Sequence, residues 1–478
     1  MTNNQKILDH IFYERYWVRW AAFTVDAISL QLCLYLAWHL RKFLNNWWHL
    51  EATSQTYWDL AFGMLLIPVG YWLVRLYPGY GLTSVERLRR RVRSTFVFFM
   101  ALITWDFLLL HSGGRSRGIL LLTFGLALVI PPVVQLLFRN ILIRMDLWGT
   151  PVIVLGAGKT GEHVIKILQK DQLLGLRPVV ILDDDPQKRG EKVGGIPIIG
   201  GINKAKTFAG KINCALVAIP GAGRERVLEL VRNLPFFSVI IVPDLIGLQS
   251  LWVEARDLDG VIGLEIQKNL LLRRNRYLKR TMDYTLGAIL FIFCLPILTL
   301  FALWIAVVSP GNPFYCQVRE GYGGRRFKVW KLRTMHQQAD KILHEYLARN
   351  PDAYQEWHQF FKLKNDPRIL PGVGKLLRRT SLDELPQLWN VLRCEMSLVG
   401  PRPFPHYHLE QFDKEFRKIR RSVIPGMTGM WQVCARSDGD LAVQEALDMY
   451  YIRNWSIWLD ISLLAKTALV VLSGKGAY

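Results

Sequence analysis

Four stretches of mostly apolar residues, near 18–40, 58–77, 95–111 and 117–138, crowd the first third of the chain. Each is roughly 17 to 24 residues long, enough for a helix to cross or nearly cross a ~30 Å hydrocarbon core. Inside lipid the backbone must satisfy its own polar groups, which leaves helices as the natural solution. Between the second and third stretches stands "VERLRRRVRS", with Arg87, Arg89, Arg90, Arg91 and Arg93. The short first and third connections carry two basic residues each. The positive-inside rule therefore puts the arginine-rich segment, and both ends of the bundle, on the cytoplasmic side. Residues 1–145 are expected to form a bundle of four transmembrane helices. Asp26 and Asp106 fall inside spans, where they mark a polar path, face one another, or sit near the edges.

Composition agrees: 51% hydrophobic residues, 17 tryptophans and a mean hydropathy of +0.16 argue against an ordinary soluble enzyme. A net charge of +21 suits anionic headgroups, phosphorylated substrates or nucleic acid alike. The basic residues cluster beside apolar segments rather than along one reading helix, so no nucleic-acid partner is expected. The six cysteines are scattered without a C-x-x-C pair, as in a chain with reduced thiols facing the cytosol. The charged start runs directly into an apolar stretch too long for a signal-peptide core.

From about residue 150 the pattern becomes strands alternating with helices. "PVIVLGAGKTGEHVIKIL" reads as strand, glycine turn (Gly156, Gly158, Gly161) and helix, while "PVVILDDD", "CALVAIP" and "SVIIVPD" read as further strands. A Rossmann-like α/β domain is expected over 146–268. Asp183, ending the second strand, stands where a ribose-binding acid belongs, and the glycine turn could receive a pyrophosphate. Such turns equally serve close helix–strand packing. None of the 17 tyrosines has a lysine four residues on, which argues against a nucleotide-sugar dehydratase or epimerase and favours a sensing, docking or oligomerisation module.

Residues 284–308 form a further apolar run. Arg273, Arg274, Arg276, Lys279 and Arg280 precede it; Arg319, Arg325, Arg326, Lys328, Lys331 and Arg333 follow it, so both ends favour the cytoplasmic side. Pro296 removes a helical hydrogen bond in mid-run. A re-entrant helix of about 281–308, broken at the proline and returning to the same face, reconciles these facts better than a kinked crossing helix.

Beyond it, "FYCQVREG" and "RRFKVWKLRTM" flank Tyr-Gly-Gly as a hairpin. Alternation sends Arg325, Phe327, Val329, Lys331 and Arg333 to one face, where their cations could hold a phosphate. In "RRTSLDELPQLWNVLRCEMSLVGPRP", Ser381 and Glu384 fit a capping box and Pro386 a first helical turn, so the stretch reads equally as an ordinary helix start. The same geometry suits catalysis. A carboxylate at a helix N-terminus stays ionised and can attack phosphorus, a neighbouring acid can hold Mg²⁺, and Arg378, Arg379 and Arg402 supply phosphate-binding cations.

These segments, with "KRTMDYTLG", "PGMTGMWQV" and "DMYYIRNWSIWLDISLLAKT", resemble the bacterial sugar transferase family from about 275 to the end. Its members are monotopic phosphoglycosyl transferases, and the bundle with a Rossmann-like insert is similar to its long members, which use UDP-galactose to begin O-antigen or capsule synthesis. The resemblance implies a mostly α-helical catalytic domain over 269–478. Asp383 would be the nucleophile that takes a phosphosugar from a UDP-sugar and passes it to undecaprenyl phosphate, with Glu384 the Mg²⁺-associated acid. It places Arg319, Lys331, Arg333, Arg378 or Arg379, and Arg402 at phosphate-binding positions. Lys279, Arg280 and Asp283 match its membrane-interface motif, although its Ser-Pro break is Leu295-Pro296 here. It implies a multi-pass protein of the bacterial inner membrane with its catalytic domain facing the cytoplasm, and a homodimer is expected. The rival reading is a membrane-anchored nucleotide sensor.

Overall fold

The computed structural model describes residues 3–44, 54–108, 117–242, 253–257, 262–266, 270, 272–360, 363, 366–434 and 441–473. The chain divides into two compact units, residues 1–248 and 249–478.

The first unit begins with α1 (Asn3–Leu44), α2 (Ser54–Met64), α3 (Leu66–Leu73), α4 (Ser84–Leu108) and α5 (Arg117–Arg144). Within it, Trp17–Phe43 and Gly118–Arg144 are helices long and apolar enough to cross a membrane. The other two expected spans differ from the simple pattern. The 58–77 run is divided at Leu65 into α2 and α3, of 11 and 8 residues. The arginine-rich segment is no loop: α4 starts at Ser84, so its arginines occupy the first turns of the third helix. Arg91 donates to Asp26 through Nη1 at 2.5 Å and Nη2 at 3.0 Å, and the Tyr77 hydroxyl donates to the same carboxylate at 2.6 Å. Asp26 is wholly buried, so this bidentate pair is a tie between α1 and α4 rather than an opening for ions. The side chain of Asp106 lies outside the described residues.

The same unit carries β1 (Thr150–Leu155), α6 (Lys159–Lys170), β2 (Leu176–Leu182), β3 (Lys192–Val193), β4 (Ile196–Gly200), β5 (Cys214–Val217), α7 (Arg224–Asn233) and β6 (Ser238–Ile241). The sheet order is β3-β4-β2-β1-β5-β6, parallel except for the β3 edge. Every residue of β1 is buried, as a central parallel strand requires. Val152 and Val154 pack with Ile165 of α6, while Ile153 and Leu155 pack on the opposite face with Ala205 and Phe236. The expected Rossmann-like sheet is therefore present, ending at β6.

The second unit opens with an antiparallel pair, β7 (Val253–Asp257) and β8 (Ile262–Ile266), followed by α8 (Arg273–Val308). The expected hairpin follows as β9 (Phe314–Glu320) and β10 (Arg326–Leu332). Then come α9 (Ala339–Arg349), α10 (Pro351–Phe360), α11 (Val373–Thr380), α12 (Gln387–Leu392), β11 (Ser397–Val399), α13 (His406–Leu409), α14 (Lys414–Arg421), β12 (Gly426–Thr428), α15 (Met430–Cys434), α16 (Leu441–Asn454) and α17 (Ile457–Ser473). β11 and β12 pair in parallel.

Helix α8 is 36 residues long, about 54 Å at 1.5 Å per residue. Helical structure continues through Pro296, so a return to the same face is made by a bend at the proline, which removes one backbone bond, and not by an unwound break. One stripe, Leu298, Phe301 and Ile305, is buried against Leu332, Leu370, Val373 and Leu377. Ile292, Phe293, Leu300, Leu303 and Val307 on its other side stay exposed. An apolar helix exposed in this way belongs in lipid, which makes this a membrane protein with a Rossmann-like domain.

Candidate active site

Asp383 and Glu384 sit on a 3₁₀ turn, Leu382–Glu384, between α11 and α12. Leu385 and Pro386 keep helical dihedrals, so the turn and α12 form one helical path. The capping box does not form. Ser381 has φ +55° and makes no side-chain cap bond, and Glu384 turns toward cations instead. Lys331 Nζ of β10 donates to Glu384 Oε1 at 2.7 Å, and Arg402 Nη2, from the Pro-Arg-Pro segment, donates to the same oxygen at 3.3 Å.

These neighbours push the two acids in opposite directions. Burial raises Asp383 to about 6; Lys331 offsets part of that rise, while the adjacent Glu384 charge adds to it. Burial also raises Glu384, but Arg402 and Lys331 outweigh it and hold that carboxyl below its usual range. Divergent environments around two adjacent carboxylates separate a more basic Asp383 from a Glu384 whose charged form is favoured.

The remaining expected cations separate. Arg378 donates to Thr334 Oγ1 at 3.0 Å and lowers Asp383 by its charge, so it belongs to the site. Arg333 departs: its guanidinium donates to the carbonyls of Ser309 and Pro310, fixing the end of α8 instead of joining Lys331. Arg319 donates to Gln317 on its own strand, and Arg379 is exposed on α11. Neither has an ion pair with the two carboxylates among the described residues. Adjacent carboxylates at 383 and 384 supply hard oxygens of the kind Mg²⁺ uses together with substrate phosphates and water. No cluster of three or more acidic, histidine or cysteine side chains that could by itself hold a metal exists among the described residues.

Two supporting side chains escaped the sequence reading. Asn390, fully buried on α12, accepts from the Trp330 N–H at 3.1 Å and donates to the Lys328 carbonyl at 2.8 Å and to Glu395 at 2.7 Å. It completes the edge of β10 as a neighbouring strand would, and so sets where Lys331 stands. Arg420 donates to the Arg402 carbonyl and to Asp448, with its guanidinium 4.7 Å from the Phe404 ring centre. A lone amide on an apolar helix face was the only available signal for the first; the second carried none.

The membrane-interface motif is a buried tie. Lys279 Nζ donates to Asp460 at 2.7 Å and lies 3.5 Å from Asp283, which accepts from Ser397 Oγ at 2.7 Å and the Leu398 N–H at 3.1 Å. Arg280 and Pro296 are exposed. In the first unit, Gly156 (φ +104°) and Gly161 are needed for packing, since an added Cβ would meet the Ala218 and Gly156 carbonyl oxygens at 2.5 and 2.0 Å. Gly158 faces open space, and Asp183 accepts from the Ala157 N–H at 2.7 Å, turning onto the glycine loop itself.

Paired carboxylates among converging cations, on a domain bearing an exposed apolar helix, define a membrane-bound enzyme of phosphoryl transfer. Residues 274–474 match the family described as bacterial sugar transferase, and residues 76–243 match one described as a CoA-binding domain. The chain is 33% identical over 421 residues to a UDP-galactose-lipid carrier transferase of Erwinia amylovora, covering 86% of this chain and 87% of that one. It is 33% identical over 437 residues to the undecaprenyl-phosphate galactose phosphotransferase of Salmonella typhimurium, covering 87% and 88%. A UDP-glucose:undecaprenyl-phosphate glucose-1-phosphate transferase of Escherichia coli is 33% identical over 340 residues, 68% of each chain. The chain belongs to the bacterial sugar transferase family and is a phosphoglycosyl transferase.

Proposed function

We propose that the enzyme transfers galactose 1-phosphate from UDP-galactose to undecaprenyl phosphate in two steps through Asp383. An Asp383 oxygen attacks the sugar-bearing phosphorus, the bond to the bridging oxygen breaks, and UMP leaves. A phosphate oxygen of the lipid then attacks the same phosphorus, the aspartyl–phosphorus bond breaks, and Asp383 is regenerated as a carboxylate. The observation that carries this reading is the opposite perturbation of the adjacent acids. Asp383 is more basic than an ordinary aspartate yet mostly ionised at neutral pH, while Glu384 keeps its charge between Lys331 and Arg402. Mg²⁺ bound at Glu384 and Asp383 would neutralise the donor's diphosphate, while Lys331, Arg402 and Arg378 orient it. Galactose as the sugar rests on the two relatives of greatest coverage quoted above, and glucose is the competing choice.

We further infer a re-entrant rather than crossing placement of α8, with the catalytic domain at the cytoplasmic face of the bacterial inner membrane and the first unit anchored by four helices. Its support is that both halves of α8 dock on one domain: Lys279 and Asp283 on Asp460 and Ser397, Leu298 and Ile305 on Leu332 and Leu377. A product that begins O-antigen or capsule synthesis fits this placement. The test is turnover with undecaprenyl phosphate and either UDP-galactose or UDP-glucose, reading UMP release and the extracted lipid. UMP and a galactosyl-diphospholipid from the wild type, with neither from Asp383→Asn, support the reading; undiminished turnover by Asp383→Asn overturns it.

A further inference from the structure

One end of the helical bundle in the first unit buries more positive charge than it neutralises. Arg87 and Arg91 of α4 and Arg139 of α5 are 5%, 4% and 6% exposed, against a single buried acid among the described residues of this unit, Asp26. Arg87, Arg91 and Asp26 are close enough to act on Arg139 by charge. Asp26 is already committed, since its oxygens accept from both terminal nitrogens of Arg91 and from Tyr77. Arg87 Nη2 donates to the Gly79 and Leu173 carbonyls at 3.2 and 2.5 Å. Arg139 is left over. It has no hydrogen bond or ion pair among the described residues, and its enclosed Nε has no partner. The Trp148 ring centre lies 5.3 Å from the Arg139 guanidinium carbon and 5.8 Å from that of Arg87. A ring face shared by two cations satisfies none of their N–H groups and does not replace an anion.

Position names what is missing. Gly118–Arg144 of α5 is long and apolar enough to cross a membrane, and Val129, Val133, Leu137 and Ile141 form an exposed apolar face along it. Arg139 stands roughly 22 residues beyond the start of α5, about 33 Å along the helix, at the far edge of a ~30 Å hydrocarbon core. Lipid phosphates occupy that layer. A guanidinium presents a planar fork of donors that matches phosphate oxygens, and Trp148 holds this one by its face. We propose that Arg139, with Arg87 and Trp148 beside it, binds the phosphate of an anionic phospholipid headgroup such as phosphatidylglycerol. The proposal rests on the membrane placement of the first unit above and not on the chemistry at Asp383. A zwitterionic lipid would bring an ammonium to a place already in surplus of cations, so a net negative headgroup is favoured. Inorganic phosphate offers the same oxygens, and the experiment separates the two sources.

The test is a titration of the delipidated full chain in neutral detergent with phosphatidylglycerol, phosphatidylethanolamine or inorganic phosphate, with retained lipid read by native mass spectrometry. Phosphatidylglycerol should be retained, and inorganic phosphate should not displace it. Arg139→Met should weaken that retention by about tenfold or more, the worth of a hydrogen-bonded charge pair. Arg93→Met, which removes an exposed charge from the same arginine-rich segment, should weaken it by less than about twofold. Equal weakening by both variants, equal retention of phosphatidylethanolamine, or displacement by inorganic phosphate overturns the proposal. Thermal melts without lipid supply the folding control. Arg139→Met removes an unpaired buried cation and should melt no lower than the wild type. A lower midpoint without lipid would make Arg139 a packing partner of Trp148 and overturn the site. None of these readouts passes through sugar transfer, so they stand even if the phosphosugar adduct at Asp383 is never found.

Discussion

The raised pKa of Asp383 makes a sharp kinetic prediction. The first half-reaction needs the carboxylate, so its single-turnover rate at subsaturating donor and Mg²⁺, which reports the free enzyme, should follow the ionised fraction of a group titrating near 6. At pH 7 such a group is about 91% ionised and at pH 5 about 9%, so the rate should fall about tenfold between them. An aspartate with its ordinary pKa of 3.8 would still be more than about 90% ionised at pH 5. The two cases differ almost tenfold in one measurement. The causes can be tested separately. Glu384 raises Asp383 by its charge, so Glu384→Gln should move the inflection to lower pH in whatever activity remains. Lys331 lowers it, so Lys331→Met should move the inflection to higher pH. The assay is rapid-quench formation of phosphosugar–enzyme from labelled donor between pH 4.5 and 8, with structure monitored by circular dichroism. A rate that stays flat down to pH 5 would refute the account of how burial tunes this carboxylate.

Three further outcomes follow from the geometry. Lys279→Met leaves buried Asp460 and Asp283 without their cation and should cost about 3–5 kcal/mol in denaturant titration; adding Asp460→Asn should recover part of that, whereas equal losses would mean the pair is unimportant. Asn390→Leu orphans the Trp330 N–H and Lys328 carbonyl, so it should lower stability by about 1–3 kcal/mol and lower kcat by displacing Lys331; a variant with wild-type kcat argues against that positioning. Gly156→Ala should destabilise the first unit strongly, because it combines φ +104° with a 2.5 Å approach to the Ala218 carbonyl, whereas Gly158→Ala should change stability by less than about 0.5 kcal/mol. Thermal melts of the two variants in detergent decide it.

What could be read from the sequence was whatever repeats locally. The continuous apolar run Val152–Leu155 and the glycine turn were enough to place β1 and α6, and the paired acids announced themselves by position next to a helix start. What failed was whatever depends on a distant partner. Arg87 to Arg93 read as a loop because hydropathy windows see charge as an interruption; Arg91 is helical and buried because Asp26, 65 residues away, neutralises it. Arg333 was assigned to phosphate binding by strand alternation, yet the carbonyls at the end of α8 hold it. Asp183 fell in the right place for a ribose, but the nearby Ala157 N–H engages it first. The capping box at Ser381 failed for a similar reason, since Lys331 and Arg402 attract Glu384 more strongly than a backbone N–H would.

The central claim is that Asp383 carries the sugar phosphate. Intact-protein mass spectrometry of the enzyme in lipid nanodiscs with Mg²⁺ and UDP-galactose, without acceptor, tests it most directly. The account predicts a mass increase of one hexose phosphate, absent from Asp383→Asn and lost from the wild type when undecaprenyl phosphate is added. An adduct that persists in Asp383→Asn, or full turnover with no adduct on a trapping time scale, would contradict it.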